Sequence, residues 1–453
     1  MKTYKIYTVI LLFSGVLLSC SDNLNIEPEQ SLTPEAALSS AENIQNILVG
    51  AYDLAGQNEI FAGDYQLASE LLANDGELAW RGTYLGPAEF NRKLVTSGNA
   101  FISDYWTYSY AVSNQVNLVL SGLDKFEDAD LAASVEGQAK FLRAAVYFDL
   151  VRFFALPYEA EGQNSQLGVP IVTNAVSDAS QIEYPSRNSV QEVYDFVVSD
   201  LTSAIDKLPE SNGFYADKYA AEALLARVYL QMGNYADARD AADDVIEKSG
   251  YSLTADYPSA FNNESNSTED VFAWQITTQD GVNDMTTFWA TREYGGRSLT
   301  GDVTVEAPYF NYFVSDTLDQ RNQFFYAGNG TLLTTKWQNQ FANVPFIRLA
   351  EMYLIRAEGN FRLETVVGAT PLEDINTLRD RADATPFESV TLDDIIAERK
   401  RELGFEGFAL HDAKRLHQDV GDLPYNSNQL VLPIPQREID ANENLEQNPG
   451  YNN

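Results

Sequence analysis

The sequence has little of the material that catalytic and metal sites need. Its 453 residues include one cysteine and two histidines, and no phosphate-binding loop of the GxxxxGK[ST] type occurs. A disulfide within the chain is excluded because it needs a second cysteine. Little remains for a zinc site, a Ser-His triad or a cysteine nucleophile. Carboxylate chemistry is the enzymatic possibility that is left, and we expect no cofactor and no metal.

Basic residues are also scarce. The chain has 30 Lys and Arg against 66 Asp and Glu, and its formal net charge is −36. Such a surface repels phosphate backbones, so we expect no nucleic-acid partner. It also disfavours sulfated or uronic polysaccharides unless a local basic patch intervenes. Hydrophobic residues make up 45% of the chain, which is typical of a globular protein with a large core.

Long apolar runs are absent after residue 19. The one run before it, Ile6–Leu18, follows Lys2 and Lys5 and has the length of a secretory signal, too short to span a bilayer. The sequence Leu-Leu-Ser before Cys20 resembles the lipobox of bacterial lipoproteins. We therefore expect a signal peptide and a lipidated Cys20, since two or more acyl chains give stable anchoring. An ordinary signal peptide with a chance cysteine remains an alternative.

A helical hairpin is predicted over 222–250, "EALLARVYLQMGNYADARDAADDVIEKSG". Apolar residues recur there every three or four positions on either side of a Gly233-Asn234 turn, as in the 34-residue tetratricopeptide repeat. Two further Ala-x-x-Tyr segments begin at Ala144 and Ala350. Their separations are not multiples of 34, so insertions must interrupt the hairpins. From about 251 to 341 Gly, Asn, Thr and Ser dominate, and we expect loops with short strands.

Several segments together resemble the SusD/RagB family of surface glycan-binding lipoproteins. They are, in order, 155–209, "VPFIRLAEMYLIRAEGNF", "ERKRELGFEGFALHDAKR" and "LPIPQREIDANENLEQNPGY". The resemblance implies a mainly α fold, in which tetratricopeptide-like helical hairpins pack against a loop-rich irregular region with few short strands. The implied organisation is a signal peptide (1–19), a lipidated tether (20–32) and one SusD-like domain (33–453). Within that domain we expect a helical scaffold (33–250 and 342–417), a glycan-facing region (251–341) and an irregular tail (418–453).

The resemblance also implies a role that is not enzymatic. Such a protein is lipid-anchored in the outer membrane, captures an oligosaccharide or polysaccharide at the cell surface and passes it to a SusC-like TonB-dependent transporter. The acidic charge favours a neutral polymer over a polyanion, and a few aromatic rings on loops would suit a short stretch of a curved glucan such as a β-glucan. Two alternatives stay open: a tetratricopeptide-type scaffold without a sugar site, and a glycoside hydrolase. The hydrolase would need two carboxylates roughly 5–10 Å apart in a cleft.

Two stretches have the composition of a sugar site. Pyranose faces stack on aromatic rings, and their hydroxyls bond to amide and charged groups. Stretches 74–86 and 280–297 combine such residues, in regions where the family places its binding aromatics. The candidates are Trp80, Arg81 and Tyr84 in the first stretch, Asn283, Asp284, Trp289, Arg292 and Tyr294 in the second, and Trp274 in a strand-like segment between them. Trp106 and Trp337 are expected in the core.

The carboxylates near the C-terminus are interpreted as structural rather than catalytic. Glu398 and Arg401 are spaced i,i+3 on a predicted helix, which suits an ion pair. Asp412 follows His411, but no second His-Asp pair supports a metal site. Glu402 and Glu406 are given the same structural interpretation.

Overall fold

The structure is a computed structural model that describes residues 34–279, 281–313 and 316–451. The expected signal peptide, Cys20 and the tether lie outside the described residues. Within the described part, no helix is both long enough and apolar enough to cross a membrane.

Helices dominate the fold before residue 250 and again after residue 348. They are α1 (Pro34–Ala37), α2 (Ala41–Ala55), α3 (Asp64–Leu72), α4 (Leu85–Arg92), α5 (Ala100–Ser121), α6 (Ala129–Phe154), α7 (Val190–Lys207), α8 (Lys218–Met232), α9 (Tyr235–Lys248), α10 (Asp284–Trp289), α11 (Ala307–Phe310), α12 (Leu349–Leu363), α13 (Pro371–Arg381), α14 (Leu392–Leu403), α15 (Ala409–Arg415) and α16 (Gln436–Ala441). The predicted mainly α fold is confirmed.

The hairpin of α8 and α9 forms where the sequence predicts it. Helix α8 ends because Gly233 adopts a left-handed conformation (φ 73°), which a residue with a Cβ rarely adopts. Helix α9 then starts at Tyr235 and packs on both α8 and α12. The close approach of α12 requires Gly359, because a Cβ there would lie 2.7 Å from the Cβ of Arg239. Small residues therefore set how closely these helices pack.

Short strands form the few sheets of the described region. They are β1 (Leu78–Trp80), β2 (Asp270–Trp274), β3 (Val303–Val305), β4 (Phe325–Gly328), β5 (Thr331–Thr334) and β6 (Val344–Arg348). They pair antiparallel as β1 with β3, β2 with β6, and β4 with β5. Loops and 3-10 turns connect them between residues 251 and 343, where the sequence predicts loops with short strands.

A network of buried ion pairs joins β6, α13 and α14. Arg348 lies 2.9 Å from Glu402 and 2.5 Å from Glu269, and Arg381 bonds to the same two carboxylates. Arg321 adds bonds to Glu402 and to a further carboxylate of α14. Burial alone would raise the pKa of Glu402, but the guanidinium groups around it hold that pKa well below its usual range. Glu402 is therefore ionised at neutral pH.

The C-terminal carboxylates are paired as interpreted from the sequence. Glu398 bonds to Arg401 at 3.2 Å, and Asp412 bonds to Arg399 and Arg415 at 2.9 and 2.6 Å. His411 packs edge-on against Phe153, and burial lowers its pKa well below the usual value. These groups serve packing and charge compensation.

Removal of the central carboxylate tests the importance of this network. We expect Glu402→Gln to lower the free energy of unfolding by about 3–5 kcal/mol, because buried guanidinium groups lose a compensating charge. Urea denaturation measures the change. The exposed Glu293→Gln is the control and should shift stability by less than about 0.5 kcal/mol. Equal effects from both substitutions would contradict the inference.

Candidate functional site

The pairing of β1 with β3 brings the first predicted stretch next to the segment that follows the second. Trp80 lies opposite Val303 and Leu78 opposite Val305. The pairing continues past the strands, since the backbone N–H of Arg81 donates to the carbonyl of Asp302 at 2.7 Å. Residues from the first stretch therefore share one surface with residues that follow the second.

Arg297 bridges these stretches at the surface. Its guanidinium lies 3.8 Å from the centre of the Tyr84 ring, and its Nη2 donates to Thr83 Oγ1 at 2.7 Å. It also pairs with Asp302 at 3.2 Å. Arg297 lies at the end of the second stretch but is not among the residues predicted to contact a ligand. The sequence signal that could have identified Arg297 is its position as the last basic residue of a loop that is rich in aromatic residues.

Trp80 and Tyr84 both pack against one buried ring, that of Phe288. Both approach Phe288 edge-on, with ring centres 5.8 and 6.0 Å away. Trp80 is half-buried, and Gly82 lies so close to its indole that a Cβ would come within 2.4 Å of the ring. Tyr84 is 47% exposed. Phe288 therefore supports two rings that reach solvent.

Tyr294 and Arg292 extend this surface. Both are exposed and lie in a 3-10 turn, and Tyr294 packs edge-on against Tyr326 at 5.2 Å. Arg292 donates from Nη2 to the carbonyl of Arg297 at 3.3 Å. We define the aromatic surface by the residues that this chain of contacts joins: Trp80, Arg81, Tyr84, Arg292, Tyr294 and Arg297.

Three of the predicted contact residues are buried instead. Trp289 is 1% exposed and packs against Phe405 at 5.4 Å. Trp274 is 2% exposed and stacks on Phe61 at 4.9 Å, because both faces of β2 are covered. Asn283 is 2% exposed and caps α10 by accepting from the N–H of Thr286. The prediction that they contact a ligand is wrong, because each fills the core or a helix end.

Asp284 also lies below the aromatic surface. Its backbone N–H donates to the carbonyl of Ala62 at 2.9 Å, and the contact is so close that only glycine fits at position 63. Burial, and then the charge of Glu59, raise the pKa of Asp284 to about 6. Burial and the neighbouring Asp284 raise the pKa of Asp64 well above its usual value. These two carboxyls therefore lie close to each other where α3 meets α10, and the backbone contacts of Asp284 hold the two helices together.

The arginines of the aromatic surface are largely charge-compensated. Arg81 bonds to Glu306 at 2.9 Å, and Arg297 pairs with Asp302. Their remaining N–H groups can donate to hydroxyl oxygens without giving the surface a strong positive charge. The arrangement of rings and donors suits a neutral, polyhydroxylated ring. Among the described residues, no group of three or more His, Cys, Asp or Glu is placed to hold a metal ion.

Asp284 gives a pH-dependent prediction. A carboxyl whose pKa is raised on folding binds more protons in the folded state, so stability falls as pH rises from about 4 to about 6. We expect Asp284→Asn to remove this loss and to raise the Tm by about 2–4 °C at pH 8, with little difference at pH 4. Thermal unfolding across this pH range measures it. The exposed Asp53→Asn is the control, and a Tm difference independent of pH would argue against the assignment.

Substitution of Trp289 and of Trp80 by alanine should lower the free energy of unfolding by different amounts. We expect Trp289→Ala to lower the free energy of unfolding by about 3–5 kcal/mol, because it leaves a core cavity. Trp80→Ala should cost clearly less, because its ring is only half-buried. Chemical denaturation of both variants measures the difference. A small loss for Trp289→Ala would show that its ring is not part of the core.

Comparisons with known proteins agree with this fold. A family model described as the SusD family matches residues 154–428 and 413–451, and a second, described as starch-binding and associating with the outer membrane, matches residues 22–230. SusD-like protein P2 of Formosa agariphila is 29% identical over the full length of both chains. The starch-binding protein SusD of Bacteroides thetaiotaomicron is 24% identical over 98% of this chain and 97% of its own.

A solved structure is similar over most of the chain. The crystal structure of a SusD superfamily protein from Bacteroides thetaiotaomicron has a TM-score of 0.82 and 27% sequence identity, and covers 90% of this chain and 100% of its own. The family models match well over half of the chain, and the helical scaffold with its loop-rich region is shared. The chain belongs to the SusD/RagB family.

Proposed function

We propose that this protein binds a glycan at the cell surface through the aromatic surface. The observation that carries the proposal is the meeting of two aromatic and arginine-bearing loops through β1 and β3. Tyr84 and Tyr294 are exposed there, and Trp80 is half-buried beside arginine donors. The family model's description as starch-binding supports the same function.

The proposed ligand is a neutral oligosaccharide or polysaccharide, such as a β-glucan. The chain carries a net charge of −36, which repels polyanions. The arginines do not form an uncompensated basic patch, since Arg81 and Arg297 pair with carboxylates. Two or three stacked rings with exposed hydrogen bonds give roughly 4–7 kcal/mol, so we expect micromolar to millimolar affinity.

Delivery of the glycan completes the proposal. A lipidated Cys20 would hold the protein on the outer membrane, and a SusC-like TonB-dependent transporter would receive the bound glycan. The description of the matching family model as associating with the outer membrane supports this location. We assign no catalytic step, because the carboxylates of α14 and α15 that we considered are bound by arginines.

A scaffold without a sugar site is the second candidate function. It predicts that Trp80 and Trp289 are both buried or at a partner interface. Trp289 is buried against Phe405, as that alternative expects. Trp80, however, is only half-buried, and Tyr84 beside it is exposed. A binding measurement distinguishes the two functions.

Affinity electrophoresis in gels cast with neutral and anionic polysaccharides tests the proposal. We expect one neutral glucan to retard the purified protein. Tyr84→Ala and Trp80→Ala should each weaken binding about 5- to 10-fold, because each loses a stacking contact. Tyr184→Ala is a matched control, since Tyr184 is 54% exposed and lies outside the aromatic surface. Retardation by no polysaccharide would favour the scaffold, and retardation only by polyanions would overturn the ligand class.

A further inference from the structure

A cavity of about 270 Å³ lies next to strand β1, and its lining includes the Arg399–Asp412 ion pair described above. The end of α3, strand β1, the second half of α14, helix α15 and the segment 416–420 enclose it. Apolar side chains form much of its wall, including Ala73, Leu78, Leu403 and Ala413. We call it the α15 cavity. Its volume is sufficient for one small ring.

Two aromatic rings also line the α15 cavity. Tyr309 and Phe408 lie in its wall, and the Tyr309 hydroxyl donates to the carbonyl of Lys400 at 3.2 Å. Gly404 makes room for Tyr309, because a Cβ there would lie 1.7 Å from the hydroxyl oxygen. The cavity therefore has an apolar aromatic side that suits the C–H face of a ring.

The charges of the inner wall largely cancel. Asp412 is bound by Arg399 and Arg415, and Glu77 is bound by Lys400 at 2.6 Å. A cation would gain little from these carboxylates, since each already has a basic partner. Exposed acids at the rim, Asp75 and Asp419, disfavour an anion. The cavity therefore favours a neutral ligand over an anion.

Polar and charged side chains, among them Arg399 and Glu70, also line the α15 cavity. Arg399 is 4% exposed, and its Nη1 is buried without a hydrogen-bond partner. Glu70 is 5% exposed and accepts from the N–H of Gly407 at 2.9 Å. Burial raises the pKa of Glu70 to about 7, so near neutral pH it is partly protonated and can also donate. A ligand with many hydroxyls satisfies such mixed groups.

We propose that the α15 cavity binds one terminal pyranose unit of a neutral glycan, as a subsite distinct from the aromatic surface. Strand β1 connects the two sites, since Leu78 lines the cavity and Trp80 lies two residues further along. Side chains at i and i+2 point to the same face, about 7 Å apart. The identity of the ligand class rests on the proposed function, but the cavity can be tested separately.

A substitution that fills the cavity gives the first test. Ala413 is half-buried on α15 and lines the cavity, so Ala413→Phe should occupy the space of the ring. Saturation-transfer NMR with glucose, galactose, mannose and xylose, each at on the order of 50 mM, measures binding to the purified full-length protein. We expect at least one sugar to bind saturably and Ala413→Phe to weaken it at least about 10-fold, which is a loss of about 1.4 kcal/mol. Ala241→Phe on α9 is the matched control and should bind normally.

The outcomes separate the two sites. Loss of sugar binding in Ala413→Phe with retention in Trp80→Ala supports the α15 cavity. Absence of binding by all four sugars, or equal binding by Ala413→Phe, overturns it. Polysaccharide retardation without monosaccharide binding overturns the cavity and leaves the aromatic surface standing. Monosaccharide binding without retardation by any polysaccharide overturns the aromatic surface instead.

A second measurement covers the case in which Ala413→Phe does not fold. Hydrogen exchange of the unaltered protein, with and without the sugar that binds, should show slower exchange of amides in 404–420. Protection of these amides supports the proposal. Protection confined to residues 80–86 and 292–297, or to no segment, overturns it.

Discussion

The buried ion pairs around Arg348 and Glu402 are the constraint on which the rest of the structure depends. A buried charge without its partner costs several kcal/mol, so each member fixes the position of the next. Arg348 ends β6 and precedes α12, Arg381 ends α13, and Glu402 lies near the end of α14. Two carboxylates shared by these arginines thus hold one strand and two helices in a single arrangement.

The elements held by this ion-pair network also carry the residues that pack under the aromatic surface. Just after α14, Phe405 packs against Trp289 at 5.4 Å, which holds α10 in place. Phe288, which precedes Trp289 in α10, contacts both Trp80 and Tyr84. Trp289, which was predicted to contact a ligand, thus fixes the position of α10, and α10 supports the rings of Trp80 and Tyr84. The α15 cavity depends on the same helix end, since Leu403 and Gly404 line it.

Local charge at the aromatic surface differs from what the net charge suggests. The chain is strongly acidic overall, yet arginines concentrate beside the exposed rings, and Arg81 and Arg297 have carboxylate partners nearby. This pairing lets guanidinium groups donate hydrogen bonds while the repulsion of polyanions by the whole molecule persists. The donors of the aromatic surface and the net charge of the chain are therefore set by different residues.

The sequence by itself determined the features that depend on neighbours along the chain. Helical periodicity and the Gly233 turn predict the α8–α9 hairpin, and the i,i+3 spacing predicts the pair of Glu398 and Arg401, because these contacts lie within a few residues. The order of motifs predicts the family. Only the tertiary structure decided that Trp289 and Trp274 are buried while Tyr84 is exposed, since packing of distant segments selects which face is covered. It also formed the aromatic surface, where Arg81 bonds to a residue 223 positions away, a separation that no local pattern encodes.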